Sequence, residues 1–135
     1  GHENLASSDF KRLGHKVEEF QAYEETKLFY QSQFFLATRY GGESVFGWVL
    51  VLEAFASQFP KDLAQKIVEH HGERSTRFIK VHVEEDIEHV ERAYLAVEKL
   101  SEINQIKENI VLTKDRYIRL LYRCRNESES IEKAA

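Results

Sequence analysis

Two histidines and an aspartate, His82, Asp86 and His89, recur over a short acidic stretch. Their spacing is i, i+4, i+7. Each residue of a helix turns the chain by about 100°, so the three project from one face, within roughly 40° of one another. Two imidazoles and a carboxylate on one stripe suit a redox-active transition metal such as iron. The same residues also fit a solvated polar stripe, because Glu84, Glu85, Glu88 and Glu91 make the whole stretch acidic. The apolar neighbours Phe78, Val81, Ile87, Val90 and Tyr94 set the stripe within or beside the buried face. Two imidazoles and a carboxylate buried together need mutual compensation, which a divalent ion supplies.

Glu53 is the second informative residue. It stands between Leu52 and Ala54 in the most apolar segment of the chain. A carboxylate buried there without a partner costs several kcal/mol or takes up a proton. A metal ion, an Arg, a Tyr hydroxyl or a helix N-terminus would each compensate it. The remaining histidines read differently. His70 and His71 close a short helix before Gly72, where the helix dipole favours them, and His15 follows Gly14 in a joint. These three are expected to be capping or surface residues.

Helices must carry these groups. Residues 2–13 place Leu5, Ala6, Phe10 and Leu13 on one side, an amphipathic helix ended by Gly14. Residues 14–19 form a joint. A second helix covers residues 20–40, with its aromatics expected mostly in the core, and Gly41-Gly42 stops it. Residues 44–59 lack the alternation of an exposed strand and read as a buried central helix that Pro60 ends. A short helix over residues 61–71 follows. Residues 75–100, free of Gly and Pro, predict the long helix that bears the His/Asp stripe. Residues from 102 onward give a last helix, with a polar tail from Asn126 expected to fray. The expected class is all-α, a bundle forming a single domain over residues 1–125 with a tail over 126–135.

Bulk properties narrow the function. The chain has 135 residues, enough for one domain with a real core. It is 42% hydrophobic and 31% charged, with net charge −4, which speaks against nucleic acid as a partner. A single cysteine, Cys124, excludes an internal disulfide and points to a reducing, cytoplasmic setting. No apolar run reaches the roughly 18 residues of a membrane span, and no signal peptide is evident. The sequence contains no Met, so the opening residues read as tag-derived or as the interior of a longer chain.

Three motifs in order resemble the haem-oxygenase-like diiron oxidases, also called iron-containing redox enzymes, which share their fold with haem oxygenase and thiaminase-II-like proteins. One is the His82-x-x-x-Asp86-x-x-His89 stripe. Another is the apolar helix with one Glu, Gly47-Trp48-Val49-Leu50-Val51-Leu52-Glu53-Ala54. The third is Gly1-His2-Glu3 opening a helix that ends in Asp9-Phe10-Lys11-Arg12-Leu13-Gly14. The resemblance covers roughly residues 1–100. It implies the C-terminal portion of a haem-oxygenase-like helical bundle, with His2, Glu53, His82, Asp86 and His89 as metal ligands. His2 would serve one iron and Glu53 would bridge or bind. The family's further carboxylate, a Glu one to two turns before the position of His2, has no counterpart here, which implies an N-terminally truncated chain.

The implied activity is that of a non-haem iron oxidase or oxygenase, mono- or dinuclear, that activates dioxygen to oxidise a small organic substrate. No haem is expected. Glu85, Tyr94 and Tyr30 are candidates to orient the histidines. Expected partners are the substrate and dioxygen, with a homodimer as a further expectation, and neither nucleic acid nor membrane. The alternative function is a non-catalytic scaffold, dimerisation or regulatory domain of the same fold.

Overall fold

A computed structural model describes the backbone of residues 2–134, and the side chains of these except residues 2, 84–87 and 131–134. Its α-helices are α1 (His2–Arg12), α2 (Glu24–Tyr40), α3 (Phe46–Ser57), α4 (Lys61–His71), α5 (Arg77–Val97) and α6 (Ile103–Ala134). Single 3₁₀ turns cover Val17–Glu19, Gly42–Val45 and Glu73–Ser75. No strand occurs among the described residues, so the all-α expectation holds.

Glycine ends three of these helices, as the sequence predicts. At the end of α1 the Gly14 N–H donates to the Lys11 carbonyl at 3.1 Å and the His15 N–H to the Phe10 carbonyl at 3.2 Å. This crossed pair is a Schellman motif, and it requires the positive φ of 89° that Gly14 adopts. Gly41 and Gly72 follow α2 and α4.

Several boundaries differ from expectation for identifiable reasons. α2 begins at Glu24 rather than at residue 20. Phe20 instead has extended backbone, with its ring 5.2 Å from Phe10 and 5.8 Å from His15. That aromatic cluster outweighs local helix propensity. α6 runs on through the polar tail to Ala134. Nothing there breaks a helix, and i,i+4 pairs brace it: Arg123–Glu127 at 3.1 Å and Arg125–Glu129 at 2.8 Å.

The chain divides into two compact units, one of Gly1–Gln21 with Leu52–Arg92, the other of Ala22–Val51 with Ala93–Ala135. In the second unit α2 and the Gly42–Val45 turn lie against α6. Leu50, Ala93 and Ile106 form its buried apolar centre, with Phe46, Val49, Val97, Leu100, Ile103 and Ile110 around them. Beside that centre lies a buried polar network. Asn109 Nδ2 donates to Gln33 Oε1 at 2.8 Å and to the Ser44 carbonyl at 2.7 Å. Thr113 Oγ1 donates to Asn109 Oδ1 at 2.8 Å, and Gln33 Nε2 donates to Thr113 Oγ1 at 3.3 Å.

Two expectations about the core need correction. The buried positions of α2 are Phe29, Ser32 and Gln33, the i, i+3, i+4 face set by the polar network. Phe34 and Phe35 lie far round the helix from that face and are 70% and 64% exposed, so the aromatics of α2 are not mostly core. α3 is apolar all round, yet only Gly47 and Leu50 are buried in it, and Phe55 is exposed.

Candidate metal centre

All five expected ligands belong to the first unit by position, on α1, α3 and α5. The structure brings two of them together from different helices. Glu53 Oε2 on α3 lies 3.5 Å from His89 Nδ1 on α5. Their side chains are 28% and 29% exposed. The Glu53 carboxylate is therefore not sealed in an apolar interior, and its desolvation cost is smaller than full burial would impose. His89 is the partner that the structure gives Glu53, and it was not among the expected compensating groups.

His82 lies on the same helix, two turns before His89. Its Nδ1 is 2.7 Å from the Phe78 carbonyl oxygen, and the Phe78 ring packs on the imidazole with centroids 4.1 Å apart. A carbonyl oxygen only accepts, so Nδ1 carries the hydrogen in this contact, which in a neutral ring leaves the lone pair on Nε2. That is the tautomer a metal-binding imidazole needs, oriented by a backbone carbonyl. The Phe78 carbonyl is thus one group that orients His82, and it was not among the expected ones. Tyr94 and Tyr30 are exposed, and the Glu85 side chain lies outside the described residues.

The side chains of His2 and Asp86 also lie outside the described residues. Among the described residues no group of three or more His, Cys, Asp or Glu is placed to hold a metal ion. The donors that are described still fit iron(II). By type alone, the Glu53 carboxylate, the His89 imidazole that it approaches and the His82 imidazole tied back through Nδ1 are oxygen and nitrogen donors suited to a first-row divalent ion.

The other histidines sit where expected. His70 and His71 close α4, exposed, with their rings edge to face at 4.5 Å. His15 is exposed and lies with its ring 5.2 Å from that of Phe10.

Sequence reasoning missed Asp9. This residue is buried, and Phe78 N–H donates to its Oδ2 at 2.7 Å. Arg12 Nη1 reaches Asp9 Oδ1 at 3.4 Å and donates to the Arg74 carbonyl at 2.9 Å. Together these contacts bind α1 to the start of α5. A signal was present: Asp9 falls within the apolar stripe of Leu5, Ala6 and Leu13, where a carboxylate needs a partner.

Comparison with known proteins agrees with the all-helical fold. No curated protein and no solved structure gave a match. The sequence profile of a family described as iron-containing redox enzyme matches residues 1–122, nearly the whole chain. With its all-helical fold and that match, the chain belongs to the iron-containing redox enzyme family, whose fold is haem-oxygenase-like.

Proposed function

We propose that this chain is an iron-dependent oxidase or oxygenase domain that activates dioxygen to oxidise a small organic substrate. The observation that carries the reading is the approach of Glu53 to His89 from facing helices, in a chain whose family is defined by iron and redox chemistry. Glu53 would hold the ion through its carboxylate and offset its positive charge. His89 would add an imidazole from α5, and His82 would bind through Nε2 because Nδ1 is committed to the Phe78 carbonyl. Asp86 and His2 complete the proposed set. An iron ion held there would supply open coordination positions and electrons to dioxygen. The centre is proposed to be non-haem, so a haem titration is expected to leave the Soret band unshifted.

Anaerobic loading with iron(II), followed by metal analysis, tests the reading. Wild type should retain iron, and Glu53→Gln and His89→Ala should each weaken binding by at least about tenfold. Unchanged iron affinity and stoichiometry in both variants would overturn the site. If Glu53→Gln mainly lowers the stability of the metal-free protein and leaves iron binding intact, Glu53 is structural.

One observation favours the non-catalytic alternative. Phe34 and Phe35 on α2, and Leu121 and Tyr122 on α6, are large apolar side chains exposed in the second unit. A wild type that fails to retain iron but self-associates would support that scaffold reading.

A further inference from the structure

We propose that Asp9 is a positioning residue for His82, acting through Phe78; the proposal rests on the metal-site reading above. α5 begins at Arg77, so the Phe78 N–H is among the four at that end with no acceptor inside the helix. Thr76 stands where a local cap would be expected. It is buried, however, and its hydroxyl donates to the Gly72 carbonyl at 3.0 Å. The acceptor comes instead from α1: Asp9, only 6% exposed, takes the Phe78 N–H at 2.7 Å. Arg12 holds that carboxylate from its other oxygen and is itself anchored on the Arg74 carbonyl.

Phe78 in turn holds His82. Its carbonyl accepts from Nδ1 and its ring lies against the imidazole. Asp9 thus secures the first turn of α5 at a residue that holds the His82 ring through both its carbonyl and its own ring. Loss of the cap frays a helix from its first turn. Fraying here would release the Phe78 carbonyl from His82, and Nε2 would no longer be held as the ligand atom.

Two measurements test this. The first needs no metal: ¹⁵N chemical shifts of the His82 ring, assigned with His82→Ala. Wild type should show the Nδ1-protonated tautomer. Asp9→Ala should move the signals toward a mixture of tautomers. Asp9→Asn keeps an acceptor oxygen for the Phe78 N–H and should restore most of the wild-type pattern. Should Asp9→Ala fail to fold, Arg12→Ala loosens the same carboxylate and should move the signals in the same direction by less. His82 ring signals that ignore these changes would overturn the proposal.

The second uses cobalt(II), followed by visible absorption, on wild type, Asp9→Ala, His82→Ala and the double variant. Asp9→Ala should weaken cobalt binding by about tenfold and add nothing once His82 is gone. An equal loss in both backgrounds would assign Asp9 a general structural role and sink the positioning role. A wild type that takes up no cobalt overturns the metal reading, while the His82 ring signals still decide the Asp9 contact.

Discussion

Gly47 lets two backbones touch. A Cβ at that position would meet the Ile106 carbonyl oxygen, with Asn109 Cβ at 2.8 Å and the Ile110 nitrogen at 2.9 Å. Backbone atoms of a packed helix cannot step aside as a side-chain tip can. Gly47→Ala should destabilise the fold by about 1–3 kcal/mol, read as a lower urea midpoint at unchanged slope. Asn109 makes a comparable demand through polarity. It is fully buried and serves Gln33, Ser44 and Thr113 at once. Asn109→Ala should cost about 1–3 kcal/mol, because it strands buried acceptors that water cannot reach. A urea midpoint within error of wild type would contradict that account. At the candidate metal centre the decisive residue is Glu53. Its carboxylate meets His89 at 3.5 Å, and the iron-loading comparison of Glu53→Gln with wild type addresses it directly.

The helix starts share a device. α5 is capped by Asp9 from α1, and α6 by Glu43 from the turn after α2. Glu43 Oε2 accepts from Ser101 N–H at 2.9 Å, Glu102 N–H at 3.1 Å and the Ser101 hydroxyl at 3.2 Å. The backbone N–H groups of Glu102 and Ser101 hold its carboxyl below the ordinary glutamate range. A depressed folded-state value means that the charged form is the stabilising one. Its contribution is therefore present above the unfolded-state value and lost as pH falls through the folded-state value. Glu43→Gln should be less stable than wild type at neutral pH, and the gap should close on acidification through that range. Urea midpoints across the acid limb check this, and a gap that stays constant would contradict it. Partial exposure of Glu43 keeps the effect small and sensitive to salt.

Across the whole chain the two units divide the labour. The unit of Gly1–Gln21 and Leu52–Arg92 carries every proposed ligand by position, together with the Asp9–Phe78–His82 chain. The unit of Ala22–Val51 and Ala93–Ala135 carries the apolar centre and the polar network of Gln33, Asn109 and Thr113. No helix among the described residues is long and apolar enough to cross a membrane.

Much of this is legible in the amino-acid sequence. Helix breaks at Gly14, Gly41 and Gly72 follow from glycine chemistry, and the placing of His82 and His89 on one long helix follows from a run free of Gly and Pro. Three motifs in order point to the family that the profile match establishes. Those features are local: each depends on residues within a few turns of one helix. Only the tertiary structure decided which carboxylate met which histidine, that Asp9 caps α5, that polar side chains rather than aromatics fill the face of α2, and that Gly47 admits the α6 backbone. Periodicity places a side chain on a face. What lies opposite that face depends on how helices distant in sequence pack, and the spacing within one helix carries no term for that.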